Sequence, residues 1–97
     1  MKLSKNNINQ ICNYFAGKPV KKAFLFGSYV RGEGTVGSDI DLLVELDYGQ
    51  RIGLLFVQMK FDLEEILQKE VDLVSLNAVS KYLQPVIDSE KELIYAR

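Results

Sequence analysis

Gly27-Ser28-Tyr29-Val30-Arg31-Gly32, five further residues, then Ser38-Asp39-Ile40-Asp41-Leu42-Leu43-Val44: the reading of this 97-residue chain turns on that stretch. The second segment has strand character over 39–46, where Ile40, Leu42, Val44 and Leu46 share one face and Asp39 and Asp41 begin the other. Carboxylates at i and i+2 of a strand point the same way with Cα atoms about 6.5 Å apart, close enough to grip one metal ion. For these two residues alone, a half-exposed strand with a wet face is an equally good account. Gly27-Ser28 shifts the balance. A glycine ending a strand, followed by a residue able to cap a short helix, lets backbone N–H groups and a hydroxyl approach an anion at the positive end of a helix dipole. Arg31, three residues on, can reach a phosphate with both arms of its guanidinium or brace the loop.

Upstream, Ile8, Ile11, Cys12 and Phe15 follow helical spacing, with Ser4 as cap and Gly17 before Pro19 as stop. Cys12 then reads as a small buried hydrophobe. From Val20 to Phe26 the chain becomes apolar, aromatic and free of helical period, which reads as a buried strand ending at Gly27. Ser28 begins a short helix broken at Gly32, and residues 33–37 form a loop. Downstream, Asp47-Tyr48-Gly49 turns the chain. Leu55, Met59, Leu63, Ile66 and Leu67 make the inner face of a long helix, and Lys60, Asp62, Glu64, Glu65 and Gln68 its solvated face. Glu70 to Ser75 is a third strand, in which Asp72 interrupts a buried run; as a lone acid it fits a strand end better than a site. If that strand lies beside the Asp39 strand, three acids converge. A helix from Asn77 or Ser80 to about Ser89, with Pro85 near its first turns, and a last strand at Leu93-Ile94-Tyr95 complete an α-β-α-β-α-β-α-β order. The expected class is α/β, with a small mixed sheet of about four strands and helices packed on it, in one domain spanning 1–97.

Composition narrows the chemistry. With 47% apolar and 26% charged residues, folding buries roughly 60–70% of the unfolded surface, so no staple is needed. The chain has no histidine and one cysteine. That excludes imidazole bases, Ser-His-Asp and Cys-His nucleophiles, zinc fingers and internal disulfides. Acid–base or metal chemistry must run on carboxylates, which favour hard cations such as Mg²⁺. The apolar runs fall far short of the ~20 residues that span a bilayer, and Met1 to Asn7 shows no signal-peptide core, so a cytoplasmic protein is expected. The net charge of −1 gives no reason to expect a general nucleic-acid binder. It is unevenly spread: residues 1–32 carry six Lys/Arg and no acid, and 33–97 carry six Lys/Arg against thirteen Asp/Glu. A basic flank beside an acidic site suits an anionic ligand.

With ten residues between Ser28 and Asp39, the stretch resembles the Gly-Ser-x10-Asp-x-Asp signature of the minimal nucleotidyltransferase (MNT) proteins of the DNA polymerase β superfamily, and in particular the antitoxins of HEPN–MNT toxin–antitoxin pairs. Gly53-Leu54-Leu55, Glu64-Glu65-Ile66-Leu67, Val71-Asp72-Leu73-Val74 and Leu83-Gln84-Pro85-Val86-Ile87 extend the likeness from about residue 20 to the C-terminus. The resemblance implies the polymerase β-like fold and a transferase that moves AMP from ATP to a hydroxyl. It implies that Gly27 and Ser28 hold the nucleotide's phosphates, with Ser38 beside them, where the position of Arg31 already suits a phosphate. It further implies that Asp39, Asp41 and Asp72 bind two Mg²⁺ ions about 3.5–4 Å apart, and that Asp72 helps deprotonate the acceptor. Val30 departs from the usual alanine, and the acidic, glycine-rich 33–37 loop from the usual basic residues or proline, so weaker compensation of the triphosphate is expected. The implied partner is an all-helical HEPN ribonuclease toxin, silenced by adenylylation of a tyrosine. Two other readings stand beside it: an antitoxin that acts by covering its partner, and transfer to a small molecule or RNA. A domain of this size, with no evident acceptor pocket and near-neutral charge, favours a protein acceptor over the latter.

Overall fold

The computed structural model describes residues 3–34 and 37–97; Met1, Lys2, Thr35 and Val36, parts of the N-terminal and loop readings above, lie outside them. Helix α1 (Lys5–Phe15) leads into strands β1 (Val20–Phe26) and β2 (Ile40–Leu46), helix α2 (Leu55–Leu67) and strand β3 (Val71–Ser75). A single 3₁₀ turn (Leu76–Ala78), helix α3 (Gln84–Glu90) and strand β4 (Glu92–Ala96) follow. The sheet runs β3-β2-β1-β4, with β2 and β3 parallel and the other two pairs antiparallel. The mixed four-stranded α/β sheet expected from the pattern is the one observed.

One face of the sheet carries the core. Ala23, Leu25, Ile40, Leu42, Val44, Val71 and Leu73 pack with Ile11 and Phe15 of α1 and Met59, Leu63 and Leu67 of α2 in one buried cluster. Ser4 caps α1 as its position predicts, its Oγ accepting the Asn7 N–H at 3.1 Å. Cys12 is half-buried rather than buried, and its thiol donates to the Ile94 carbonyl at 3.0 Å, joining α1 to β4. Burial pushes that thiol's pKa up. The opposite face of the sheet carries Asp41 and Leu43 of β2 beside Asp72 of β3, and Lys91, the residue after α3, sits 4.7 Å over the Phe24 ring of β1.

Five local expectations are corrected. No helix follows Ser28: Val30 and Arg31 both donate to the Gly27 carbonyl, and Glu33 to that of Ser28, giving one irregular turn. Gly27 and Gly32 stand at φ of 79° and 76°, leaving too few residues between them to repay helix nucleation. β2 begins at Ile40, one residue late. Ser80 does cap, its Oγ accepting the Leu83 N–H at 3.2 Å, but regular helix begins only at Gln84, with Pro85 in the first turn where a missing N–H costs nothing. The charged face of α2 does more than meet water. Glu64 accepts the Val71 N–H at 3.0 Å and Lys60 at 3.0 Å, so it ties α2 to the start of β3. Asp62 accepts the Tyr14 hydroxyl of α1, and Ile66, expected on the inner face of the helix, is exposed.

Candidate active site

The site forms where β1 ends, β2 begins and β3 runs beside it. In the β2–β3 register Asp41 stands directly beside Asp72, and in the β1–β2 register it stands beside Phe26, the residue before Gly27. Neighbouring strands lie about 4.8 Å apart and paired residues share a face, so Asp41 and Asp72 project together. Asp39 precedes β2 by one residue and is exposed, as is Asp72. Asp41 is half-buried, its carboxylate lying so near Gly27 that a Cβ there would collide with it. Glycine is thus required twice, by φ of 79° and by this approach.

The electrostatics follow from that crowding. Burial first, then the charges of Asp72 and Asp39, push the Asp41 pKa up to about 6; Glu90 adds to the effect and Arg31 opposes it. Among the described residues no three such side chains are gathered tightly enough to enclose an ion as they stand. The donor set is nevertheless hard, oxygen-only and over-charged, which is what a divalent hard cation relieves. A carboxylic acid that holds its proton more tightly folded than unfolded contributes less stability as pH rises from the ordinary aspartate value through 6. Asp41→Asn, melted in EDTA, is therefore expected to gain about 1 kcal/mol at pH 8 after allowing for solvent screening. That corresponds to about 4–8 °C for a domain of this size, shrinking to nothing near pH 4. A gain that does not depend on pH would assign the effect to packing instead.

The structure brings the other expected residues to the same turn. Ser28 is half-buried, and its carbonyl accepts the Glu33 N–H at 2.9 Å. Ser38 is half-buried, its carbonyl facing the Tyr29 hydroxyl at 3.5 Å. Tyr29 itself is 2% exposed, a packing aromatic that fastens the turn to the loop rather than a platform for a base. Arg31 braces: Nε donates to Glu33 at 2.6 Å and Nη1 to Glu90 at 3.0 Å. Glu90 is the residue that sequence reasoning missed. Nothing in Asp88-Ser89-Glu90 distinguishes it from a solvated helix end.

The chain as a whole is similar to known proteins. The family described as polymerase beta, nucleotidyltransferase, matches residues 7–97. A protein of Methanocaldococcus jannaschii, named as a candidate protein adenylyltransferase, is 45% identical over 71 residues, covering 73% of this chain and 75% of its own. A mutant MntA toxin–antitoxin complex contains a chain of TM-score 0.72 and 26% identity, over 99% of this chain and 75% of its own. The complex of a tri-AMPylated Shewanella oneidensis HEPN toxin with its MNT antitoxin shares the fold at TM-score 0.72 and 22% identity, over 98% and 74% of the two chains.

Proposed function

The chain belongs to the polymerase beta nucleotidyltransferase family, and from that premise we infer that it is a protein adenylyltransferase that moves AMP from ATP to a tyrosine hydroxyl of a helical HEPN-type toxin, acting as its antitoxin. The observation that carries the reading is the meeting of the Gly27 turn with Asp41, and of Asp41 with Asp72, at one end of the sheet. An anion-binding turn pressed against paired carboxylates suits a polyphosphate held together with its counter-cation. The names of the M. jannaschii relative and of the two complexes support both the reaction class and the kind of partner.

Gly27 and Ser28 would receive the triphosphate, with Arg31 and Ser38 at its sides. Asp39, Asp41 and Asp72 would hold Mg²⁺, which when bound supplies charge neutralisation at the phosphates and a lowered acceptor pKa. The acceptor oxygen attacks the α-phosphorus, the bond from that phosphorus to the bridging oxygen breaks, and pyrophosphate leaves. Asp72, exposed and beside Asp41, would take the hydroxyl proton. Positioning and fixed charge carry the rest, as the absence of histidine in the sequence requires. The whole of 1–97 serves as one nucleotide-binding domain, and dependence on ATP ties the activity to the cytoplasm.

Incubating the chain with Mg²⁺, ATP and the helical product of a neighbouring gene is expected to add one or more AMP masses to a partner tyrosine. The gain should vanish with Ser28→Ala plus Asp39→Asn. An unmodified partner that this double variant still neutralises would replace the enzyme with an antitoxin that acts by covering.

A further inference from the structure

The turn assigned to phosphate already holds an anion, and the anion belongs to the chain. Glu90, the last residue of α3, accepts the Gly27 N–H at 3.0 Å through Oε1. Both of its carboxylate oxygens accept Arg31 Nη1, at 3.1 and 3.0 Å. Arg31 also donates to Glu33, so two carboxylates compensate one guanidinium. The two are unequal. The Glu33 side chain is 61% exposed and exchanges readily with water and salt, whereas that of Glu90 is 17% exposed and bound to a backbone donor as well. Carboxylate and phosphate oxygens make the same demand on an N–H and a guanidinium. A triphosphate that uses these donors must therefore displace Glu90, close to Asp41, whose pKa its charge already raises.

We propose that Glu90 is an internal competitor of the nucleotide: its carboxylate occupies the Gly27–Arg31 anion site and thereby sets how tightly the triphosphate binds. This rests on the nucleotide-binding reading of that turn. Apparent affinity is reduced by the fraction of molecules in which the donors are free. Because Glu90 terminates α3, any contact that shifts α3 changes that fraction.

The test titrates the parent chain, Glu90→Gln and Glu33→Gln with Mg²⁺–ATP, and separately with inorganic tripolyphosphate in EDTA, following heat and the Gly27 amide signal. Glutamine keeps the length of glutamate and can still accept the Gly27 N–H, but brings no charge. Glu90→Gln is expected to bind tripolyphosphate about tenfold more tightly than the parent, and Glu33→Gln within about twofold of it. The Gly27 signal should move in all three. Equal or weaker binding by Glu90→Gln overturns the proposal and makes Glu90 the residue that orients Arg31; an equal gain in both variants overturns it in favour of net charge. If tripolyphosphate follows the expected order while Mg²⁺–ATP binds none of the three, the competitor stands and the nucleotide-site reading fails. If neither probe binds, both fail. Should Glu90→Gln not fold, Glu90→Asp, one methylene too short to satisfy both donors, is expected to tighten tripolyphosphate binding in the same direction.

Discussion

A chain carrying Asp39→Asn and Asp41→Asn is expected to fold, to melt no lower than the parent, and to transfer no detectable label from α-³²P-ATP to its partner. Asp39 is exposed and Asp41 half-buried under like charges, so neither carboxylate supports the core. Their removal relieves repulsion. The catalytic loss is of another order. Fixed charge at a transferring phosphoryl group supplies several kcal/mol, and a loss of about 4 kcal/mol already slows a reaction about a thousandfold. Asp72→Asn should separate the roles by keeping most of the nucleotide affinity while the rate falls, because a proton acceptor acts mainly in the transition state. Undiminished transfer by the double variant would return both acids to the wet face of a strand, the account that residues 39 and 41 admit on their own.

That ambiguity marks how far residues speak without their neighbours. The end of β1 was readable because the apolar run 23–26, bounded by Gly27, has one good explanation, burial in a sheet. The alternation of β2 placed Asp41 and Leu43 on the face opposite Ile40 and Leu42, as observed. What alternation cannot reveal is which strand lies alongside. The partnership of Asp41 with Asp72 depends on a parallel register across the 30 residues between them, which include α2. The helix expected after Ser28 failed for a local reason: cap chemistry was present, but the flanking glycines took left-handed dihedrals and left no room to propagate. Glu90 was out of reach for a different one, since its partners lie 63 and 59 positions away and its own segment reads as solvated. Glu64 repeats the lesson on α2, where a residue on the polar face of a helix serves as the tie to β3.

By itself the chain is expected to turn over ATP near background, and to gain at least a thousandfold in adenylyl transfer when a cognate helical partner docks over the acids, a modest share of what orientation can supply. Asp39 and Asp72 are open to solvent, and the cavity of about 180 Å³ lined by Glu45, Tyr48 and Leu76 lies toward the far end of β2, away from them. Nothing described in the chain would hold an acceptor hydroxyl against the α-phosphorus. Water is present there in any state, but as an unoriented nucleophile it gains little from the carboxylates. A docked tyrosine is different: orientation converts a bimolecular attack into a local one, contributing up to about 7–11 kcal/mol at the limit. The same docking excludes water and strengthens every charge interaction at the site. Tyr82 and Leu83 just before α3, and Val86 within it, are exposed to solvent, and α3 ends in Glu90, which accepts the Gly27 N–H. ATP consumption measured with and without partner, and with a partner whose target tyrosine is phenylalanine, separates the contributions. The phenylalanine partner should bind yet leave consumption at background, because it closes the site without supplying the oxygen. Rapid ATP consumption by the chain alone would mean that the acceptor is water or a small molecule, and the protein-directed reading would fall with it.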